Sequence, residues 1–368
     1  MKSTVALITI LHGIIHLVGF VKSFNLFPIS QLTQNIPKVQ GILWLFAALL
    51  FVLCAVLQLL KKDLWLPMAL LAVSISQGLI LLDWHDAKFG TLVNIIILIA
   101  SIVGIGTWHF YRKYMSEVAT LLNQSGSPVA SVLTESDIQH LPEPVRKYLS
   151  YTGALGKPKV SFFKVEFSGQ IRKNEKSEWM PFTSEQYNSI NPSTRLFFMK
   201  ATMKHLPVAG FHSFKNGSAF MDIRLFSLFN VQFQSGKEMS ISETVTFFND
   251  MSCMAPATLI DPRIKWIEVS HHSVGAEFTN NNIMVSATLY FNDDGALINF
   301  ISGDRYASRE DNIMKRLPWS TPLKDYKIIN GHRLAGYADA IYQYPEKELC
   351  YGQFLVTNIQ YNREIENH

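Results

Sequence analysis

The segment Val39–Leu60 has the sequence VQGILWLFAALLFVLCAVLQLL, which contains no charged residue. A helix of this length rises about 33 Å and can cross the hydrocarbon core of a bilayer, which is about 30 Å thick. Three further apolar segments are of similar length: Thr4–Val21, Leu64–Leu82 and Thr91–Phe110. The four segments predict a transmembrane α-helical bundle within residues 1–116. The first segment is too long for a signal peptide and no small-residue cleavage site follows it, so we expect it to be retained.

The charged residues are unevenly distributed along the 368-residue chain. Residues 1–110 contain Lys and Asp but neither Arg nor Glu, and they account for most of the formal net charge of +4. The rest of the chain has no block of Lys or Arg of the kind that follows a phosphate backbone, which argues against nucleic-acid binding. The three cysteines are too few for a disulfide framework and favour a reducing compartment, although a Cys253–Cys350 pair stays open.

The basic residues near the helix ends predict the orientation of the bundle. One side would hold Lys2, Lys61, Lys62, Arg112 and Lys113, and the other would hold Lys22, Lys38 and Lys88. Because cytoplasmic loops carry the excess of Lys and Arg, we expect both termini, and with them the C-terminal domain, in the cytoplasm.

Four polar residues interrupt the apolar segments and need partners, because their burial in lipid is costly. His12 and His16 are four residues apart and share one face of the first helix. Gln77 and Asn94 lie at a similar depth in the third and fourth helices, so we expect one polar cluster. The favoured interpretation is an interhelical hydrogen-bond network, and the alternative is a site for a proton, a metal ion or a quinone-like head group.

The C-terminal part of the chain is expected to be α+β and mainly β. Residues 117–158 predict a linker, including the polar segment Asn123–Val129, and short helices near Thr134–Asp137 and Val145–Tyr151. From Lys159 onward apolar and polar residues alternate, which predicts an antiparallel β domain over residues 159–368. The expected strands include segments near Phe163–Arg172, Phe197–Met203, Met221–Gln234, Trp266–Ser270, Ile283–Phe291, Leu297–Tyr306, Arg333–Tyr342 and Gln353–Tyr361.

One amphipathic helix interrupts these strands. Ser240-x-x-Glu243 has the form of a capping box and predicts a helix of about 12 residues over 240–251. We expect this helix to cover the concave face of a curved sheet, or half-barrel, and to leave part of that face uncovered. The remaining space is either an apolar pocket or a core filled by aromatic side chains. The candidate lining residues are Phe163, Phe167, Phe229, Phe233, Phe247 and Phe248.

No established catalytic or metal-binding motif is present in the sequence, and we expect neither a metal nor a cofactor. His271-His272 has no third ligand at a useful spacing, and Asp261-Pro-Arg263 and Asp304-Arg305 have the form of surface or turn ion pairs. Asp222 and Arg224 fall on one face of a strand, where a solvent-exposed face is the favoured interpretation.

Several motifs resemble a bacterial family of membrane proteins that is described only as a domain of unknown function. They are Phe89-Gly90-Thr91 with Asn94, the segment Leu141–Leu149 (LPEPVRKYL) with Thr152-Gly153, Trp179-x-Pro-Phe182, Trp319-Ser320 and Phe354–Asn362. This resemblance implies a bacterial cytoplasmic (inner) membrane. The curved sheet with its helix, Gly331-His-Arg333 and the final Tyr361-Asn362 is similar in shape to the lipoprotein-carrier (LolA-like) half-barrel, which implies a concave face that holds acyl chains.

Three functions are compatible with the sequence. The first is a membrane-anchored binding protein whose β domain holds a lipid or another apolar ligand, and the content of 25 Phe and 12 Met favours it. The second is an enzyme that acts on a membrane-associated substrate through Asp222, Arg224, Asp304 and Arg305. The third is a structural or assembly role. The expected partners are membrane lipids, and the sequence leaves the oligomeric state open.

Overall fold

The computed structural model describes residues 2–29, 32–124, 131–308 and 314–362. The chain divides into two units, Met1–Phe110 and Tyr111–His368. The first unit is helical and the second is built around a β-sheet.

The N-terminal unit contains helices α1 (Lys2–Ser23), α2 (Lys38–Leu59), α3 (Trp65–Leu82) and the short α4 (Trp84–Ala87), and α5 (Gly90–Gln124) begins in it. Of the helices in the described residues, α1, α2, α3 and α5 are long and apolar enough to cross a membrane. The prediction of four such helices is confirmed. Gly19 of α1 faces Trp44 of α2 so closely that a Cβ atom would lie 2.5 Å from the indole ring, so only glycine fits there.

Helix α5 is longer than the sequence pattern indicates. The predicted apolar segment ends at Phe110, whereas α5 continues for about four more turns to Gln124. The first two residues of the predicted linker Asn123–Val129 are therefore helical, and residues 125–130 lie outside the described residues. In this extension Tyr114, Val118 and Leu121, at helical spacing, are buried, and the Tyr114 ring lies 5.1 Å from the Phe198 ring of the sheet.

Two short helices precede the sheet. Helix α6 (Glu135–Ile138) is capped by Thr134, whose hydroxyl bonds the Asp137 carboxylate at 2.7 Å while the Thr134 N–H donates to the same group. Helix α7 (Glu143–Tyr151) begins after Pro142, and its Tyr148 hydroxyl donates to the Ser252 carbonyl at 3.0 Å. A capping box is thus present at Thr134–Asp137.

The described residues form one sheet of fourteen strands, all paired antiparallel. The strands are β1 (Phe162–Ile171), β2 (Met180–Ser189), β3 (Thr194–Met203), β4 (Leu206–Lys215), β5 (Ser218–Leu225), β6 (Phe229–Ser235), β7 (Ile264–Val269), β8 (Ser273–Asn280), β9 (Ile283–Phe291), β10 (Leu297–Ser308), β11 (Met314–Ser320), β12 (Leu323–Ile329), β13 (His332–Gln343) and β14 (Glu348–Tyr361).

The strand order shows how the chain builds the sheet. It runs β6-β5-β4-β3-β2-β1-β14-β13-β11-β10-β9-β8-β7, and β12 pairs with β13 beside this path. The chain therefore moves from the centre to one edge, crosses to the other edge and returns to the centre. Helix α8 (Lys237–Met254) and a 3₁₀ turn (Pro256–Ile260) make the crossing.

Helix α8 lies inside the curve of the sheet. It contacts β4, β5 and β6 near one edge and β9 and β10 near the other, so the sheet must bend around it. The predicted half-barrel with a covering helix is confirmed. The predicted helix start is wrong, because α8 begins at Lys237 after Gly236, whose φ is 100°. Ser240 and Glu243 lie within the helix, and Glu243 forms no cap because it bonds a strand residue.

Candidate functional site

A cavity of about 350 Å³ lies between α8 and the concave face of the sheet. Helix α8 contributes Met239, Glu243, Thr246 and Asp250, which recur every three to four residues along one face. The strands contribute mainly apolar side chains, which alternate with residues of the convex face. These apolar lining residues are Phe167, Ile171, Phe197, Met199, Met221, Ile223, Ala307, Trp319, Leu349 and Phe354.

A buried ion cluster occupies the α8 side of the cavity. The Arg195 guanidinium on β3 donates to Glu243 Oε2 at 2.9 Å and to Asp250 Oδ2 at 2.8 Å, and both acids are on α8. Gln186 Nε2 also donates to Asp250 Oδ2, at 2.7 Å. His212 Nδ1 lies 3.9 Å from Glu243 Oε1. Since Glu243 and Arg195 are almost inaccessible to solvent, this cluster links the helix to the sheet through desolvated charges.

The two acids of the cluster have opposite pKa shifts. Burial acts to raise the pKa of Glu243, but the positive charge of Arg195 and the contact with His212 outweigh it and hold the pKa at about 2. Burial raises the pKa of Asp250 more strongly than Arg195 and Gln186 lower it. Glu243 is therefore the acid of the pair that stays ionised, here called the committed anion. Asp250 takes up a proton more readily than an ordinary aspartate.

A second arginine, Arg305 of β10, lines the same cavity. Its Nε donates to the Tyr342 hydroxyl at 2.9 Å and its Nη1 donates to the Thr246 hydroxyl. The guanidinium carbon lies 4.5 Å from the centre of the Trp319 ring. Burial opposes the positive charge of Arg305, yet Tyr342, Tyr351 and Glu243 raise its pKa, so the guanidinium stays protonated.

The cavity lies within the part of the chain that matches a known family. A family model described as "Family of unknown function (DUF6544)" matches residues 131–354, more than half of the sequence. The chain belongs to the DUF6544 family. All residues that line the cavity, from Phe167 to Phe354, fall inside the DUF6544 match. No protein of curated function matches the sequence.

Two solved structures are similar to this DUF6544 member. One is a LolA superfamily protein from Nitrosomonas europaea, with 9% identity, a TM-score of 0.33 and coverage of 60% of this chain and 94% of that chain. The other is a DUF1329 family protein from Desulfovibrio piger, with 8% identity, a TM-score of 0.35 and coverage of 61% and 93%. At this level of identity the likeness concerns the fold alone.

The structure separates the six phenylalanines that the sequence predicts as ligand-binding. Phe167 lines the cavity, whereas Phe163, Phe247 and Phe248 are fully buried in the surrounding core. Phe229 and Phe233 lie on the edge strand β6 with exposed fractions of 63% and 57%. They were expected on the concave face.

A β-bulge explains the position of Phe233. The register between β5 and β6 shifts between Ile223 and Arg224, so Phe233 lies opposite Asp222 and Gln232 lies opposite Ile223. Because directly opposed residues share a face, Gln232 turns toward the cavity and Phe233 turns to the other side. Phe233 there stacks on Phe220, with ring centres 6.1 Å apart.

The four polar residues considered for an enzyme do not converge on one site, although Asp222 and Arg224 pair with each other. Asp222 is buried, not solvent-exposed as predicted, and it accepts hydrogen bonds from Arg224 and from Asn230 Nδ2 at 2.8 Å. Its neighbours in the strand, Met221 and Ile223, line the cavity. Because successive side chains of a strand point to opposite faces, Asp222 points away from the cavity. Asp304 accepts from the Ser286 N–H at 2.6 Å and pairs with Arg316, so it does not pair with Arg305. The predicted surface pair Asp304-Arg305 is therefore wrong.

Two other short motifs are resolved by the structure. Asp261 and Arg263 form the predicted turn pair, with Arg263 Nη2 2.6 Å from Asp261 Oδ2. His271 and His272 meet Asp293 at the end of a neighbouring hairpin, and their ligand atoms all lie within 4.8 Å of one another. All three residues are exposed. Asp293 could not be identified from sequence spacing, because the pairing of β8 with β9 brings it close to the two histidines.

The N-terminal unit brings His12, His16, Gln77 and Asn94 into one hydrogen-bonded network. His12 Nε2 lies 2.9 Å from Asn94 Oδ1, and Asn94 Nδ2 donates to Gln77 Oε1 at 3.1 Å. His16 Nδ1 donates to the His12 carbonyl at 2.8 Å, so in a neutral imidazole its Nε2 accepts from the Ser76 hydroxyl, also at 2.8 Å. Ser76 in turn bonds Asn94 at 3.0 Å. Ser76 is the member that the sequence analysis missed.

The cavity cluster was also missed. Arg195 directly precedes the apolar residues 196–199 of β3. Glu243 and Asp250 are seven residues apart on one helix, which is two turns along the same face. Such a strand arginine and helix acids at this spacing predict a buried ion pair if the helix is expected to pack on the strand. Because Glu243 was interpreted as a capping residue, its ion pair with Arg195 was not predicted.

Proposed function

We propose that this protein is a membrane-anchored binding protein whose β-sheet unit holds a lipid or another apolar ligand in the cavity beside α8. The observation that carries the proposal is the cavity itself. Its volume of about 350 Å³ falls within the range of small-molecule sites, roughly 300–1,000 Å³. Most of the exposed surface of its lining is apolar, and polar side chains such as Arg195, Glu243 and Arg305 converge on it, which is the pattern of a ligand pocket.

The rest of the core supports this proposal, because aromatic side chains fill the space on the other side of α8. Phe247 and Phe248 of α8 stack on Phe278 with ring centres 6.2 and 5.1 Å away, and Phe214 packs on Phe247 at 5.6 Å. These aromatic side chains fill the opposite side of the helix. The space at Glu243, Thr246 and Asp250 remains because the same helix presents short and polar residues there.

The binding test compares two tryptophan substitutions in the full-length protein. Ile223→Trp adds bulk inside the cavity, whereas Val231→Trp adds the same side chain at an exposed position of the neighbouring strand β6. After purification in detergent, native mass spectrometry counts tightly bound lipid. Annular lipid on the apolar helices is the same in both variants, so any difference reports the cavity.

We expect the wild-type protein and Val231→Trp to retain one tightly bound apolar molecule and Ile223→Trp to lose most of it. Equal retention in all three proteins, or retention in none, would contradict the binding function.

We further propose that the four apolar helices span the bacterial inner membrane with the β-sheet unit in the cytoplasm. The proposal rests on the excess of Lys and Arg at one set of helix ends. A fluorescent-protein fusion at His368 is expected to be bright and an alkaline-phosphatase fusion inactive. The reverse result would place the sheet outside the cytoplasm.

A further inference from the structure

Arg305 differs from three other arginines that are at least partly buried in the β-sheet unit. Arg195, Arg224 and Arg263 each donate to a carboxylate at 2.9 Å or less. Arg172, which also lines the cavity, donates to the Cys350 carbonyl at 2.8 Å. Among the described residues, Arg305 donates to hydroxyl groups alone, those of Tyr342 and Thr246. Within the described residues no ion pair of 4.0 Å or less joins Arg305 to a carboxylate. Its charge is therefore compensated only at longer range.

The immediate surroundings leave Arg305 with unused hydrogen-bonding capacity. A guanidinium has five N–H donors, and the described residues accept hydrogen bonds from its Nε and Nη1 only. The Trp319 ring covers one face of the group at 4.5 Å and fixes its plane. A planar, oriented donor group of this kind matches the oxygens of a carboxylate or a phosphate.

The charge of the cavity lining points to the same ligand chemistry. The described lining holds four basic side chains, Arg172, Lys173, Arg195 and Arg305, against three acids, Glu243, Asp250 and Asp339. Glu243 is already committed to Arg195, and Asp339 lies beside Lys324 at 3.6 Å. A cation in a partly desolvated cavity is costly when no carboxylate lies next to it, and an anion that enters the cavity removes part of that cost.

We propose that Arg305 binds the anionic head group of an amphiphilic ligand, a carboxylate or a phosphate carried on a long apolar chain. This inference rests on the proposed binding function and names the class of ligand. The apolar chain lies along the wall formed by Phe167, Phe197, Met199 and Phe354. Arg305 thus selects the head group and orients the ligand, while the apolar wall supplies most of the buried area.

The experiment compares ligands that share a tail and differ in charge. Full-length protein is stripped of lipid by detergent exchange and then offered hexadecanoate, hexadecyl phosphate and hexadecanol. Acetate and inorganic phosphate serve as anions without a tail. Native mass spectrometry measures the fraction of protein that carries each compound. We expect both long-chain anions to bind at least tenfold more tightly than hexadecanol, and the tail-free anions not to bind measurably. The ratio between the two long-chain anions identifies the head-group type.

Two matched variants locate the preference. Arg305→Gln removes the charge from the cavity, and Arg316→Gln removes one from an exposed position on the adjacent strand β11. Arg305→Gln is expected to bind the long-chain anions and hexadecanol equally, whereas Arg316→Gln keeps the tenfold preference.

The ligand comparison on the wild-type protein keeps the proposal testable even if Arg305→Gln does not fold. Equal binding of hexadecanoate, hexadecyl phosphate and hexadecanol to the wild type would overturn the role of Arg305 and leave the binding function intact. An anion preference that survives in a folded Arg305→Gln protein would also overturn it. Binding of no long-chain compound would overturn both proposals.

Discussion

The two units of this protein each contain a buried polar cluster, and the two clusters are organised differently. In the N-terminal unit His12, His16, Ser76, Gln77 and Asn94 bond one another, and the described contacts can be made by neutral side chains. In the β-sheet unit the cluster consists of charged groups and borders a cavity. The side chains of the first cluster bond mainly one another, whereas the second includes an arginine with N–H groups for which the described residues offer no acceptor.

The difference indicates different roles. A closed network of uncharged groups between helices stabilises their packing, because each polar group finds its partner on another helix. Aromatic rings enclose this network, with Phe51 4.9 Å from His12 and Trp44 5.0 Å from His16. Charged groups at the wall of a cavity cost more to bury and are suited to recognition of a ligand. We therefore keep the proposed ligand site in the β-sheet unit and propose a structural role for the histidines.

The largest loss of stability is expected when Glu243, the committed anion of the charged cluster, is replaced. Glu243→Gln leaves Arg195 with only Asp250, whose pKa is raised, so the arginine loses most of its compensation. The pKa of about 2 corresponds to about 3 kcal/mol of unfolding free energy at neutral pH. We expect the thermal midpoint of the β-sheet unit, measured on the full-length protein at pH 7, to fall by roughly 6–12 °C.

Asp250→Asn is the matched control for that substitution. Because burial already favours the protonated form of Asp250, an amide should cost at most about 1 kcal/mol, and it can still accept from Arg195 and Gln186. If the two variants lose the same stability, the assignment of Glu243 as the committed anion is wrong.

The pH dependence of stability separates the same two acids. The pKa of Glu243 is depressed from 4.5 to about 2, so its contribution is complete above pH 4.5 and is lost as the pH falls toward 2. Wild-type protein should therefore lose midpoint temperature across this window more steeply than Glu243→Gln. Thermal unfolding followed by circular dichroism at pH 2–7 measures both slopes, and parallel curves would contradict the assignment.

A smaller effect is expected from the neutral cluster of the helical unit. Ser76→Ala removes the hydroxyl that bonds both His16 and Asn94, whereas Ser74→Ala on the same helix removes a hydroxyl that bonds only the Leu70 carbonyl. Interhelical hydrogen bonds of this kind contribute about 1 kcal/mol. Ser76→Ala should lower the thermal midpoint by a few degrees and Ser74→Ala should leave it unchanged. Loss of ligand binding in a folded Ser76→Ala protein would show that the network does more than hold helices together.

The sequence predicted the architecture more completely than it predicted the site. Apolar length and alternation are local properties, so they predicted the four helices, most strands and the position of α8. The extension of α5 to Gln124 was missed because hydropathy falls after Tyr111-Arg112-Lys113. Burial shows the common face of Tyr114, Val118 and Leu121, and the Tyr114 ring there contacts rings of β2, β3 and β4.

The site depended on pairings that local patterns do not contain. Arg195 and Glu243 meet because α8 crosses beneath β3, and Phe233 leaves the concave face because one extra residue in β6 shifts the register. Both outcomes follow from tertiary geometry. A single bulge moves every side chain beyond it in the strand to the opposite face of the sheet. Alternation alone therefore assigned Gln232 and Phe233 to the wrong faces.

The strand order has a consequence for how the protein is synthesised. The first strand, β1, pairs with the last, β14, at the middle of the sheet, and Asn362 accepts a hydrogen bond from the N–H of Ser161, 201 residues away. At about 5–20 residues per second, β1 leaves the ribosome on the order of 10–40 s before its second neighbour exists. During that interval one side of β1 is an unpaired strand edge, a surface on which chains aggregate. Strand β14 thus joins the two halves of the sheet, and a nascent chain that stops before Glu348 exposes the edge of β1 at the centre of the sheet.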